Sequence, residues 1–172
     1  MAGIDWPWIT QIRPILQTEA AECGLASLAM VACYHGHRLD LPGLRQKFPT
    51  SIKGMTLRQV MAVASELELS PRAVRLELHE LDQLTLPAIL HWDLNHFVVL
   101  EQVGKDSASI LDPAQGRRRL SFARIGRHFT GVALILEPRE DFELRAQTRF
   151  RGVGHYLQRI LTARVYDVAQ ET

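Results

Sequence analysis

The stretch that decides the fold runs from residue 22 to residue 35 and reads ECGLASLAMVACYH. Its apolar side chains cover almost every side of a helical projection, and a helix that is apolar on all faces is a buried one. Gly36 follows directly, and glycine commonly ends helices. The stretch therefore predicts a central buried helix with Cys23 in its first turn and Cys33 near its end.

Two shorter helices are predicted after the central one. Asp40 is a suitable cap for a helix that has Pro42 in its first turn and ends before Pro49. Thr56 and Gln59 have the spacing of a capping box, and apolar residues follow at helical spacing. This pattern predicts a helix over residues 56–68 with one buried face.

The pattern changes after the third helix. From about residue 72 the apolar side chains recur every second residue, as they do in strands. Because helices come first and antiparallel strands follow, the sequence predicts an α+β domain with an N-terminal helical lobe and a C-terminal antiparallel β-sheet. The predicted strands cover 74–77, 87–92, 96–103, 109–111, 117–120 and 131–136, and a short helix is predicted over 121–129.

Composition excludes several classes of protein. The chain has 172 residues, of which 47% are hydrophobic and 23% charged, as in ordinary globular domains. Its 20 Lys and Arg residues against 19 Asp and Glu argue against a general nucleic-acid binder. No apolar run approaches the roughly 18 residues that a membrane-spanning helix needs. The two cysteines lie ten residues apart on one predicted helix, too far apart for a disulfide, so two free thiols and a reducing compartment are expected.

Cys23 is the first candidate for chemistry. The free N–H groups and positive dipole at a helix N-terminus stabilise a thiolate. A nucleophilic thiol also needs a base, and the base needs a group that orients it. His96 begins a predicted strand and Asp112 ends the next one, with the turn at 104–107 midway between them, so an antiparallel hairpin brings the two together. The alternative for each residue is structural: a small buried thiol, a strand-edge histidine and a turn aspartate.

Gln17 is a further candidate, since it lies six residues before Cys23 on the segment that leads into the helix. A side-chain amide there can reach an oxyanion beside the helix N-terminus, although a solvated glutamine is the simpler alternative. Cys33, His35 and His37 alternate like some metal ligands, but no second pair of ligands follows at the spacing of a structural zinc site. We expect neither a metal nor another cofactor.

The sequence from Gln17 to Leu28, QTEAAECGLASL, resembles the cysteine motif of double-glycine leader peptidases, the peptidase domains of bacteriocin-exporting ABC transporters. The segments HWDLNHFVVL at 91–100 and LDPAQG at 111–116 are together similar to the family's second motif, and the segment between the two motifs, from Tyr34 to Leu57, matches the family as well. The resemblance is strongest to exporters of the colicin V type and extends from about Pro14 to Phe142. Three motifs in the family's order and spacing make it highly specific.

The resemblance implies a papain-like cysteine peptidase with Cys23 as nucleophile, His96 as general base, Asp112 as the orienting carboxylate and Gln17 as the oxyanion donor. It implies that the partners are a precursor peptide with a Gly-Gly leader and the transmembrane and ATP-binding parts of an ABC exporter. The domain would cut after Gly-Gly in the cytoplasm, on the cytosolic face of the bacterial inner membrane.

The implied organisation is an N-terminal extension over 1–13, the peptidase domain over 14–142 and a tail or linker to a transporter over 143–172, where Tyr156 to Leu161 suggest one amphipathic helix. A stand-alone peptidase and a transporter-attached domain both fit this organisation. Three other functions stay open: a catalytically silent domain that only binds leader or cargo, another cysteine hydrolase on the same fold, and a scaffold domain whose tail docks a membrane partner.

Overall fold

The computed structural model describes residues 11–139. The predicted α+β class is confirmed, with three helices first and an antiparallel sheet afterwards. The helices are α1 (Cys23–Tyr34), α2 (Leu41–Lys47), α3 (Leu57–Glu66) and α4 (Phe122–Ile125), and the strands are β1 (Leu69–Arg75), β2 (Ala88–Trp92), β3 (His96–Val103), β4 (Ser107–Asp112), β5 (Gly116–Ser121) and β6 (Phe129–Pro138). The predicted tail over 143–172, including the helix at 156–161, and most of the predicted extension over 1–13 lie outside the described residues.

The central helix α1 is buried as predicted. All its residues from Cys23 to Ala32 belong to the core. It packs on the sheet beside β3, and the Ser27 hydroxyl donates a hydrogen bond to the Phe97 carbonyl over 3.2 Å. Because Phe97 follows His96 directly, this contact fixes the helix that begins with Cys23 against the strand that begins with His96.

The caps of the other two long helices also match the sequence. The Asp40 carboxylate accepts a hydrogen bond from the Gly43 N–H over 2.7 Å at the start of α2. Thr56 and Gln59 form the predicted capping box at the start of α3. These caps satisfy N–H groups that a helix leaves unpaired at its N-terminus.

The sheet has six strands in the order β1-β6-β2-β3-β4-β5, and every neighbouring pair is antiparallel. In the β3–β4 hairpin Val99 lies opposite Leu111, so the end of β4 lies beside the beginning of β3. Within residues 11–139 we find no helix that is both long and apolar enough to cross a bilayer.

The predicted bounds of the first strand were wrong, and the 3₁₀ helix that follows this strand was not predicted. β1 begins at Leu69 and ends at Arg75, whereas the sequence predicted a strand over 74–77. The strand lies at the edge of the sheet, where Pro71 is tolerated and where only Leu69 is buried, so the alternation of apolar residues is weak. A 3₁₀ helix over Leu78–Gln83 was not predicted.

Candidate active site

The Cys23 thiol lies at the start of the central helix. It is the first residue of α1, follows a 3₁₀ turn over Ala20–Glu22 and is 3% exposed. The next residue, Gly24, packs closely on α3 and the segment before it, since a Cβ at this position would lie 3.1 Å from the Val60 side chain and 3.3 Å from that of Met55. The glycine after the cysteine therefore lets α1 approach its neighbours where the thiol begins.

His96 and Asp112 meet at the end of the β3–β4 hairpin, in the contact that the sequence predicted. The His96 Nε2 atom lies 2.9 Å from Asp112 Oδ1, and the carboxylate is only 5% exposed. The same oxygen accepts a hydrogen bond from the Ala114 N–H over 2.8 Å, and the Arg118 guanidinium lies 3.9 Å from the other oxygen. These contacts hold Asp112 ionised and turned toward the imidazole.

The electrostatics of His96 favour its charged form. Burial by itself would lower the pKa of His96, but hydrogen bonding and charge from Asp112 and Cys23 outweigh it and raise the pKa to about 9. Burial likewise opposes the ionisation of Asp112, and the hydrogen bonds from His96 and the Ala114 N–H, with the positive charges of His96 and Arg118, lower its pKa. Because Nε2 faces Asp112, Nδ1 is the ring nitrogen left for the Cys23 sulfur. The arrangement can therefore hold a charged imidazolium between the Asp112 carboxylate and the Cys23 sulfur at neutral pH.

Gln17 lies at the edge of this group. Its backbone N–H donates a hydrogen bond to the Pro113 carbonyl over 2.9 Å, which ties it to the turn after Asp112. Its side chain lines the same cavity as His96 and Asp112. The side-chain Oε1 atom is buried and has no hydrogen-bond partner within residues 11–139. The amide oxygen is thus buried beside the site.

A buried carboxylate that the sequence analysis missed holds the segment with Gln17 in place. Glu22 is 1% exposed and accepts hydrogen bonds from the N–H groups of Thr18 and Glu19 over 2.9 and 3.0 Å, and from the Arg45 guanidinium. Arg45 also donates to the Thr18 hydroxyl over 3.1 Å. Burial opposes ionisation, yet these hydrogen bonds and the positive charge of Arg45 lower the pKa of Glu22. The only signal in the sequence was an acidic residue at the start of a buried helix.

The histidines and cysteine considered as metal ligands do not form a metal site. The Cys33 thiol donates to the Leu39 carbonyl over 3.5 Å, and the His35 Nε2 atom is hydrogen-bonded to the Leu136 carbonyl at 2.9 Å. Across the described range, 11–139, no three His, Cys, Asp or Glu side chains group so that they could hold a metal ion. Both cysteines are free.

An open cavity of about 400 Å³ adjoins the site. Gln17, His96 and Asp112 are among the residues that line it. Arg118 of β5 and Arg124 of α4 also line it. There is therefore room for a polypeptide beside the imidazole.

Comparison with known proteins agrees with this geometry. Residues 11–141 match the peptidase C39 family. The chain is 45% identical over 147 residues to the colicin V secretion/processing ATP-binding protein CvaB and 44% identical over 144 residues to the probable microcin-H47 secretion/processing ATP-binding protein MchF, both from Escherichia coli. These matches cover 85% and 84% of the chain but 21% of each relative, so the chain spans about a fifth of their length.

The fold also matches a solved structure. A double glycine motif protease from an AMS/PCAT transporter, crystallised in complex with the leader peptide, superposes with a TM-score of 0.69 and 38% identity, covering 73% of this chain and 91% of that one. Its fold is the papain-like one that the sequence motifs implied. The chain belongs to the peptidase C39 family, and the residues described here form a papain-like cysteine peptidase domain.

Proposed function

We propose that this domain removes the leader of a secreted peptide precursor by cleaving after a Gly-Gly motif. The observation that carries the proposal is the contact chain of Cys23, His96 and Asp112, in which the pKa of His96 is raised to about 9. A peptidase relative crystallised with its leader peptide supports the same substrate class. Cys23 is the nucleophile, His96 the general base and acid, and Asp112 the residue that orients the imidazole.

The reaction follows from these positions. The Cys23 thiolate attacks the carbonyl carbon of the second glycine, and the resulting oxyanion lies beside the N-terminus of α1, where the Cys23 N–H and the Gln17 amide can donate to it. The His96 imidazolium gives its proton to the leaving amine as the C–N bond breaks. Water then attacks the thioester, His96 accepts a proton from it, and the leader leaves as a free acid while the thiolate re-forms.

A segment with Gly54 and Met55 packs against the start of α1, where Cys23 lies. Gly54 has a φ of 79°, which favours glycine, and a Cβ on it would lie 3.6 Å from the Ala21 carbonyl oxygen, in ordinary van der Waals contact. Met55 packs against Gly24 just beyond Cys23. We infer that the two leader glycines pass this segment on their way to the thiol, because it packs beside Gly24, the residue that follows Cys23.

The export partners are part of the proposal. The relatives carry names of secretion/processing ATP-binding proteins, and the chain corresponds to about a fifth of each. We propose that this domain acts in the cytoplasm, at the inner membrane, joined to the transmembrane and ATP-binding parts of an ABC exporter. The precursor is then cut before or during its transport.

The test of the proposed function is a peptide series built on the colicin V leader, followed by a short cargo. The Gly-Gly peptide is compared with peptides in which either glycine is alanine, and with a scrambled leader that keeps Gly-Gly. We expect cleavage of the Gly-Gly peptide alone. Equal cleavage of all peptides indicates a less specific cysteine hydrolase, and binding of the leader without cleavage indicates a silent binding domain.

Replacement of Gln17 is expected to slow turnover. Gln17→Ala removes one donor to the oxyanion, which typically lowers kcat by about 10²–10³-fold. Affinity for the leader changes little, because the interaction forms with the oxyanion and not with the bound ground state. Gln46→Ala, on the exposed face of α2, is the matched control and keeps wild-type kcat. A Gln17→Ala enzyme as fast as wild type would remove Gln17 from the proposed oxyanion hole.

The pH dependence follows from the raised pKa of His96. The imidazolium is present below a pKa of about 9, so kcat/KM for the leader peptide falls as the pH rises through about 9. Asp112→Asn moves this fall to lower pH, because one contribution that raises the pKa is lost, and it reduces kcat less than His96→Ala does. A profile that is flat to pH 10, or one that Asp112→Asn leaves in place, contradicts the assignment.

The same shift affects stability. The pKa of His96 in the folded domain lies above the ordinary value of 6.5. The charged imidazole therefore makes its full contribution to the free energy of unfolding below about pH 6.5, and this contribution is lost as the pH rises through about 9. Thermal unfolding over that window separates this loss from the loss of catalysis, because the unfolding measurement needs no substrate.

A further inference from the structure

The cavity beside His96 lies on the side of the proposed reaction where the leaving amine departs. His96 and Gln17 line it, whereas Cys23 is 3% exposed and does not appear among its lining residues in the described part of the chain. In the proposed mechanism His96 protonates the leaving amine. The residues that follow the scissile bond therefore begin at the imidazole, where the cavity opens.

The proposed path of the leader lies on another side of the thiol. The segment with Gly54 and Met55 packs on Ala21 and Gly24, and neither Gly54 nor Met55 lines the cavity. If the two leader glycines pass this segment, the chain beyond the scissile bond continues past His96 and Gln17. It then runs along the wall formed by residues 114–115, β5 and α4.

The charges of this wall favour an anionic occupant. The carboxylate of Asp112 is held by His96, and that of Asp93 lies 2.8 and 3.0 Å from the His128 Nδ1 atom. Both carboxylates that line the cavity therefore already have partners. Arg124 also lines it and, within residues 11–139, its guanidinium forms no ion pair or hydrogen bond.

An aromatic surface completes the cavity. The His128 ring is stacked on Trp92 at a centroid distance of 5.3 Å and an interplanar angle of 11°. The same histidine is bonded to Asp93, so the stack is fixed in orientation. A flat aromatic ring near a cation that has no partner within residues 11–139 suits an extended peptide that carries a carboxylate.

We propose that this cavity binds the first residues of the cargo and that Arg124 favours an acidic side chain among them. The inference rests on the proposed leader cleavage and deepens it. It assigns to the domain a recognition site for the mature peptide, on the opposite side of the scissile bond from the leader. A basic side chain in the same place is disfavoured, because it meets Arg118 and Arg124.

The experiment uses the colicin V leader ending in Gly-Gly, followed by short cargoes that carry Asp, Ala or Lys at one of the first three positions. The measured quantity is kcat/KM for cleavage at low ionic strength. At one position or more we expect wild type to prefer Asp over Lys by about fivefold, the size of effect typical of a partly exposed ion pair. Added salt reduces the ratio.

Variants of Arg124 test whether this residue causes the preference for Asp over Lys. Arg124→Gln brings the Asp-to-Lys ratio close to one, Arg124→Glu reverses it and Arg124→Lys retains it. Arg127→Gln is the matched control, because Arg127 is an exposed arginine three residues further on that does not line the cavity. It keeps the wild-type ratio.

Failure of this inference and failure of the proposed function give different results. Cleavage after Gly-Gly at equal rates for all cargoes overturns this inference and leaves the proposed function intact. An acidic preference that survives in Arg124→Gln overturns the role of Arg124. If no peptide is cut, the proposed leader cleavage fails, and the inference built on it fails with it.

Discussion

Cys23→Ala is expected to abolish cleavage of a Gly-Gly leader peptide while the domain stays folded. Loss of a catalytic nucleophile lowers kcat by roughly 10⁴-fold or more, because the residual binding and oxyanion groups cannot replace it. Alanine fits the site, since Cys23 is a small buried residue of α1. Peptide cleavage followed by mass spectrometry measures the loss, and the melting temperature reports the fold.

Two further results separate this role from a structural one. The pKa of His96 falls below about 9 in Cys23→Ala, because the thiol is one of the groups that raise it, and NMR titration of the imidazole measures the change. Cys33→Ala is the matched control, since Cys33 is the other free cysteine of α1, lies near its far end and is bonded to the Leu39 carbonyl. Cys33→Ala retains cleavage; wild-type activity in Cys23→Ala contradicts the assignment.

His96→Ala is expected to have the second largest effect. The substitution removes both the base that accepts the thiol proton and the acid that protonates the leaving amine, and acid–base groups typically contribute about 10²–10⁴-fold. It also leaves the buried carboxylate of Asp112 without its main partner, so the melting temperature falls. His96→Gln fills more of the space and separates lost chemistry from lost stability.

The control for His96 is an exposed histidine. His79→Ala lies in the 3₁₀ helix between β1 and β2 and changes neither kcat nor leader affinity. In His96→Ala the leader still binds, as fluorescence anisotropy of a labelled leader measures, while kcat falls. A His96→Ala enzyme with wild-type kcat would exclude the proposed acid–base role.

The features that could be predicted from the sequence are the local ones. The apolar run of 22–35 is sufficient to place a buried helix, and its first turn is sufficient to place Cys23 at a helix N-terminus. The contact of His96 with Asp112 could be predicted because one hairpin with a central turn joins them. The catalytic roles of these residues and the domain limits at 14 and 142 stay predictions.

The features that could not be predicted depend on residues distant in the chain. Glu22 is buried because Arg45 reaches it from α2, and nothing near Glu22 in the sequence indicates that partner. The cavity wall depends on the stack of Trp92 with His128, which joins the β2–β3 hairpin to the segment before β6. Hydrophobic periodicity carries no information on such pairs, since it describes single elements.

The most direct test of the central claim is mass spectrometry of the products formed from a colicin V leader peptide that carries Gly-Gly and a short cargo. Wild type and Cys23→Ala are incubated with it in parallel. The account predicts one cut, after the second glycine, with wild type alone. A cut at another bond, a cut by both proteins, or equal binding of the leader by both proteins without any cut would contradict it.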